Sequence, residues 1–421
     1  MFRYLKSVFV DSSIRNRIFF VLGILLLTRV LAAIPIPSIS GADLAGYIQG
    51  NQFLGLLNIF AGGGLSSLSI VMLGVQPYIT ASIIMQVLTV LVPSLKQMQQ
   101  EDGEQGRRKF AQYSRMITLP LAILQAFGLL TLFTRQGAIP HLDATHMALN
   151  VLIITAGSML MMWLGEVINE KGIGNGISLI IFAGIVATLP SKLLGVASGV
   201  GSAQIPLYIA LFVTFIIVLV GIVTVTESER PLEVTYAKQS RGYATDSGVT
   251  TSYLPLRLTQ AGVIPIIFAV SLLMFPQLLA QLMATSGSAL MQTIANKIQI
   301  FIGNPWIYGV VYFTLIVVFT FFYTAVTFDP TRTAENLQKS GAFIPGHRPG
   351  DATTAYMSDV LMRVTAIGAL FLGVVALLPI ILSGITGIST LQVGGTSLLI
   401  AVSVIIDLIK KIDAQVSMSH Y

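Results

Sequence analysis

Ten apolar runs of membrane-spanning length settle the class of this chain before any motif is read. They lie near 18–34, 70–92, 116–134, 147–168, 176–196, 206–226, 259–282, 306–328, 359–383 and 394–409, and a helix needs about 20 apolar residues to cross a bilayer core. With 54% hydrophobic and only 10% charged residues over 421 positions, and a mean hydropathy of +0.82, nothing the size of a soluble domain remains between them. The expected fold is all-α: a polytopic membrane protein with ten transmembrane helices. The first run has no small-residue cleavage site and ends in Pro35-Ile36-Pro37, so it reads as a span and not as a cleaved signal. The absence of cysteine excludes disulfides, thiolate nucleophiles and Cys-ligated metals.

Loop charges orient the spans, because lysine and arginine are retained on the cytoplasmic side. Arg3, Lys6, Arg15 and Arg17 precede the first span, Lys96, Arg107, Arg108, Lys109 and Arg115 follow the second, and Lys171 follows the fourth. Arg230, Lys238, Arg241 and Arg257 follow the sixth, Arg332, Lys339, Arg348 and Arg363 the eighth, and Lys410 and Lys411 end the tenth. The alternate loops hold only Arg135, Lys192 and Lys297. Both termini are therefore expected in the cytoplasm. The net charge of +6 belongs to that face, where anionic lipid and ribosomal RNA are the natural neighbours.

An internal repeat points to where such a bundle would conduct. Gly74-Val75-Gln76-Pro77-Tyr78-Ile79 in the second span matches Gly262-Val263-Ile264-Pro265-Ile266-Ile267 in the seventh, and Gly176 to Ile181 in the fifth matches Gly395 to Ile400 in the tenth. Each pair is five spans apart. An odd offset makes the second half inverted relative to the first, and in such folds the paired Gly/Pro-interrupted segments lie at the interface of the halves. The halves are expected at 1–200 and 201–421, the second carrying cytoplasmic loops over 227–258 and 329–358. Gly62 to Ile79 and Gly262 to Ile267 then mark the conduction site.

The stretch 61–69 wants different surroundings from the span that follows it. Gly62, Gly63 and Gly64 supply backbone freedom that no membrane helix needs, and Leu65, Ser66, Ser67 and Leu68 form a segment too polar to face lipid. Pro77, three residues after Gly74, is expected to kink the second span. Two readings are open from these residues: a plug seated in a cavity, or a loop before an ordinary span.

Among the few ionisable groups within the spans, Arg29 in the first and Glu166 near the end of the fourth stand out. A pathway for ions or small polar solutes should show more. Arg29 is expected to be structural, paired or snorkelling, and Glu166, beside Asn169, Glu170 and Lys171, to be a solvated end. Ile79, Ile181, Ile267 and Ile400 occupy matched repeat positions, so a lumen built on them would be a hydrophobic constriction that excludes water and ions. Enzyme chemistry is not evident. His141, His146, His347 and His420 have no HExxH spacing, and neither a Gly-x-Ser-x-Gly elbow nor a Walker-type loop occurs. No catalytic residue, metal or cofactor is expected.

Several ordered motifs carry a family resemblance: Asn58-Ile59-Phe60-Ala61-Gly62-Gly63, Pro77-Tyr78-Ile79-Thr80-Ala81-Ser82-Ile83-Ile84 and Gly106-Arg107-Arg108-Lys109. Trp163-Leu164-Gly165-Glu166 and Gly172-Ile173-Gly174-Asn175-Gly176-Ile177-Ser178 follow, then Ala261-Gly262-Val263-Ile264-Pro265. Glu335 to Gly346, Arg348-Pro349-Gly350 and Gly394 to Ile400 complete the set. Over essentially its whole length the chain resembles the SecY family, the channel-forming subunit of the bacterial Sec protein translocase. The resemblance implies an hourglass channel whose waist is a ring at Val75, Ile79, Ile177, Ile181, Ile267 and Ile400, and a plug around Gly62 to Ser69. It implies a lateral gate between the second and seventh spans, marked by Pro77 and Pro265. It also implies docking of a SecA-type motor or the ribosome on the loops carrying Arg230, Arg241 and Arg348, and assembly with SecE- and SecG-like small subunits in the bacterial inner membrane. The chain departs from the family where a Gln-Arg-Arg run is usual and Glu229-Arg230-Pro231 stands instead.

The reading is a channel that passes unfolded polypeptide and releases apolar segments sideways into lipid. A transporter of a small apolar solute would share the repeat but not the large cytoplasmic loops, and a scaffold without a pore would need no plug.

Overall fold

The computed structural model describes residues 11–37, 52–100, 103–198, 205–236, 250–258, 260, 262, 264–284, 288–386 and 390–419. Each of the ten expected spans overlaps a helix, the second, expected over 70–92, only from residue 76: α1 Ser12–Ala33, α3 Gln76–Leu91, α5 Gly103–Arg135, α6 Ala144–Lys171, α7 Gly176–Ser198, α8 Ile205–Glu227, α9 Ile264–Ala284, α11 Pro305–Thr327, α13 Asp351–Thr386 and α14 Thr390–Ser419. Among the described residues four further helices, α2 Gln52–Phe60, α4 Pro93–Gln100, α10 Ala289–Gly303 and α12 Pro330–Lys339, lie between them. By length and composition α1, α5, α6, α11 and α13 can each cross a bilayer unaided, whereas α3 and the apolar parts of α7, α8 and α9 are shorter. The chain forms two compact units, 1–210 with 270–309 and 379–421, and 211–269 with 310–378.

In the first unit α7 is the hub, packing against α1, α2, α6 and α14, while α3 packs against α5 and α6. The turn joining α6 to α7 explains the crowded motif there. Asn169 accepts from the Gly176 amide at 2.7 Å, and Asn175 caps α7 by accepting from the Ile177 amide at 3.2 Å. Gly176 lies against the Gly165 carbonyl with no room for a side chain, and Gly174 holds φ +98°. Glu166 is not a solvated end: it pairs with Arg115 of α5 at 2.7 Å and its side chain is only 13% exposed. The outward faces are apolar, as at Phe19, 60% exposed, and Leu26, 69% exposed, as lipid contact requires.

The second unit adds a small sheet to the all-α bundle. Large side chains bridge its helices, with the Phe313 ring against Gly373 and Phe268 edge-on to Phe319 at 5.8 Å. The two loops expected over 227–258 and 329–358 join in a small sheet of order β2-β1-β3, formed by β1 Glu229–Tyr236, β2 Thr250–Arg257 and β3 Ala342–Phe343. The β1/β2 register runs from Glu229 opposite Arg257 to Tyr236 opposite Thr250, and Thr235 faces Phe343. Leu232, Val234 and Leu256 alternate inward onto Ile344, Met357, Val360 and Val364, giving the sheet its own core. Pro231 is tolerated in β1 because, among the described residues, β3 pairs only with Thr235 and Tyr236 and that edge is unpaired beside Pro231.

Leu256 is 0% exposed at the centre of that core. Leu256→Ala is expected to destabilise the sheet by about 2–5 kcal/mol, seen as faster protease cleavage within 229–258 in membrane vesicles while the spans stay protected.

Candidate functional site

Between α2 and α3 the chain runs from Ala61 to Val75 as consecutive turns, with no helix and only one isolated bridge. Gly62 and Gly63 take φ +65° and +86°, Gly74 takes +55°, and Leu68 reaches +47°, a region that side chains avoid. The stretch is nevertheless inside the protein. Leu65, Val71, Met72, Leu73 and Val75 are fully buried, while Ser66 and Ser67 are exposed. Burial thus continues past the polar residues that mark the segment in the sequence.

Pro77 does not kink a helix. It stands in the first turn of α3, where its missing N–H costs nothing and its fixed φ suits the helix start. The 16-residue α3 is short because the preceding residues complete the passage in unwound form. Its repeat partner behaves alike: Pro265 is the second residue of α9, and Gly262 holds φ +56° against +55° at Gly74.

Three contacts hold the stretch in place. The chain beyond α1 pairs with it, Pro35 bridging Ser69, with the Ile36 amide donating to the Leu68 carbonyl at 2.9 Å and the Ile70 amide to the Ile34 carbonyl at 3.0 Å. Ser67 adds a bond from its hydroxyl to the Ala32 carbonyl at 2.9 Å. Glycine faces on two spans then admit the backbone: a Cβ on Gly157 of α6 would collide with the Ile70 carbonyl, and one on Gly184 of α7 with Gly62 Cα. Finally, Arg29 of α1 turns inward, and its Nη1 donates to the Gly62 carbonyl. Arg29 is thus structural, held by a backbone carbonyl and by no carboxylate among the described residues.

Of the residues expected at the waist, Val75, Ile79, Ile181 and Ile400 are buried, and Ile177 is half-buried against Gly165. Val75 with Ile79, and Ile177 with Ile181, stand four residues apart on one face of their helices. Ile267 is buried in the second unit, at the start of α9. Pro77 and Pro265 are both buried, and Gln76 of α3 donates to the Met274 sulfur of α9 at 3.5 Å. Of the expected docking residues, Arg230 is exposed on β1 and Arg348 at the tip between β3 and α13, while Arg241 lies outside the described residues. The tip is braced by Gly346 at φ +86°, by Gly350 at +100° and by His347 stacked 4.0 Å from Tyr356. Glu229, where the chain departs from the family, pairs with Arg257 across the strands at 3.1 Å.

Gly157 and Gly184 are the site residues that sequence reasoning missed. Their signal was Ala156-Gly157-Ser158 and Ala183-Gly184, small residues that let backbones approach within membrane helices.

The SecY family pattern matches residues 69–409. The protein translocase subunit SecY of Synechococcus elongatus is 43% identical over 418 residues, covering 97% of this chain and 94% of that protein. Its counterpart in Corynebacterium glutamicum is 38% identical over 439 residues, with 99% and 98% coverage. A solved structure described as "The structure of a protein conducting channel" superposes with a TM-score of 0.64 at 20% identity, covering 94% of this chain and 90% of that one. The canine Sec61 in a ribosome-channel complex reaches 0.60 at 18% identity, with the same coverage. These structures share the fold.

Gly157→Ala and Gly184→Ala are each expected to destabilise the protein by about 1–3 kcal/mol through overpacking. Gly23, with nothing within 4 Å of its Cβ position, is the control: Gly23→Ala should leave the thermal midpoint unchanged or raised.

Proposed function

The chain belongs to the SecY family, and from that premise we propose how its own residues carry out protein conduction. It is the protein-conducting channel subunit of the translocon, embedded in the membrane by many spans, and it is not an enzyme. The observation that carries the residue-level reading is the unwound stretch 61–75, buried among spans. Broken backbone at membrane depth is tolerated only where protein encloses it or a cavity borders it.

In this reading Gly62, Gly63, Gly64, Leu65, Ser66, Ser67 and Leu68 form the plug, and Val75, Ile79, Ile177, Ile181, Ile267 and Ile400 the waist. A translocating chain presents every kind of side chain, so polar contacts at the waist would trap some of them. An apolar collar holds none strongly and sheds water when empty. Helices α3 and α9 form the lateral gate through which apolar segments reach lipid. The Gln76–Met274 contact supports this, since a 3.5 Å bond to sulfur is a weak one that can part readily. The halves 1–200 and 201–421 are related by inversion, which the like geometry of Gly74-Pro77 and Gly262-Pro265 supports.

The cytoplasmic loops carrying Arg230, Arg241 and Arg348 receive a SecA-type motor or the ribosome, with Arg230 exposed on β1 and Arg348 exposed at the tip after β3. The sheet's separate core supports a docking role, because a folded platform fixes side chains that a loop would leave free. SecE- and SecG-like subunits complete the complex in a bacterial inner membrane, with both termini cytoplasmic.

Arg348→Glu should impair export in cells carrying only that variant while changing stability by no more than about 0.5 kcal/mol; normal export removes Arg348 from the docking surface. Replacing Ile79, Ile181, Ile267 and Ile400 together by Asn should wet the waist and raise resting conductance severalfold in planar bilayers. Replacement by Leu, which nearly keeps volume and apolarity, should do much less. An Asn variant as tight as the Leu one would show that these positions do not form the seal.

A further inference from the structure

We propose that Arg29 is the positioning residue that latches the stretch 61–75 in the resting channel, its guanidinium clasping the Gly62 carbonyl from the first span. The inference rests on the plug reading and deepens it by naming what sets the plug's hold. Arg29 lies four residues before Ala33, the last residue of α1, about one turn from the helix end. An arginine so placed can run its charge out to the interface. This one turns inward instead, and Nη1 bonds the carbonyl of Gly62, the first left-handed residue after α2.

The rest of the guanidinium has no second task. Nε and Nη2 are buried without an acceptor, and among the described residues no carboxylate pairs with it. A permanently charged group with two dry donors is costly to keep inside, so its position there needs a use, and its one bond among the described residues goes to the plug. The fit is specific on both sides. A Cβ on Gly62 would meet Arg29 Nη2 at 2.6 Å, and on the other flank Gly184 admits the Gly62 backbone with no room to spare. The carbonyl is thereby fixed between an arginine and a glycine. A charge-assisted bond in a water-poor setting is strong, yet water entering an opening channel would satisfy the two dry donors. The latch therefore holds while dry and yields once wet.

The geometry also supplies the control. Pro35 and Ser69 face each other in an antiparallel bridge, where opposed Cα atoms lie about 4.5–5.5 Å apart, within the range a disulfide spans. The chain has no cysteine of its own. Oxidising Pro35→Cys with Ser69→Cys would therefore fasten the stretch independently of Arg29.

The test is resting conductance of the complete channel complex in planar bilayers. Arg29→Met is expected to leak severalfold more than the parent, and Arg29→Lys, which keeps one donor near the carbonyl, to leak less than Arg29→Met. Oxidation of the cysteine pair in the Arg29→Met background should restore the seal, and reductant should undo it, a rescue that a folding defect would not show. A monodisperse Arg29→Met complex as tight as the parent, or tighter, overturns the latch. If Arg29→Met does not assemble, Arg29→Gln carries the test, since its side chain is too short to reach the Gly62 carbonyl from the same backbone position, and a Gln variant with parental conductance overturns the proposal. Deleting residues 62–69 separates the two claims: no leak from the deletion refutes the plug itself, whereas a leak from the deletion without one from Arg29→Met refutes the latch alone. Combining both changes should leak no more than the deletion.

Discussion

A backbone that leaves the helix inside a membrane must find partners for its own amides and carbonyls, and that requirement organises the first unit. Along 61–75 much of this is met by local turns: Gly62 donates to Ile59, Gly63 to Asn58, Gly64 to Ala61, Leu68 to Leu65, Ser69 to Gly64, Met72 to Ser69 and Gly74 to Val71. Ile70 and Ile36 add two bonds between the stretch and the chain that leaves α1. Such turns are compact but leave no face for a side chain where a span presses close. Glycine therefore recurs on both sides of the contact, at Gly62 and Gly74 within the stretch and at Gly157 and Gly184 on the helices that receive it.

The same requirement accounts for the division of labour along the chain. Inside the spans the buried side chains are mostly aliphatic, and ion pairs sit near the ends of the spans and in the sheet. Arg115 with Glu166 ties α5 to α6, and Glu229 with Arg257 closes the foot of the β-hairpin. The hydrophobic cluster beneath the sheet gathers residues from 232–258 and 328–364, joining two loops far apart in sequence into one folded surface. A binding partner there meets a single body and not two flexible strands.

The spans were legible because apolar runs of that length have few other uses. The repeat was legible because Gly74 and Gly262 do the same conformational work ahead of Pro77 and Pro265. What Pro77 does was not, since proline suits the first turn of a helix as well as it kinks an interior, and the choice depends on where the unwound stretch ends. Glu166 resembled a solvated terminus because its partner Arg115 is 51 residues away. The strands were hidden by Pro231 and Pro255, which argue against strand until their facing positions and the open edge of β1 are seen. Gly157 and Gly184 stayed anonymous among 38 glycines, for a glycine in an apolar span announces closeness without saying to what.

If the buried aliphatic positions are where a polypeptide passes, they must touch it while it is in transit, and the lipid-facing ones must not. The most direct measurement places a photo-activatable residue at Ile79, Ile181, Ile267 or Ile400 in turn, and at the exposed positions Phe19, Leu26 and Leu152 for contrast, in a complex engaged with a soluble precursor stalled midway. The account predicts adducts with the precursor from the four isoleucine positions and none from the three exposed ones. Adducts from the exposed positions with none from the isoleucines would place the path elsewhere and contradict it.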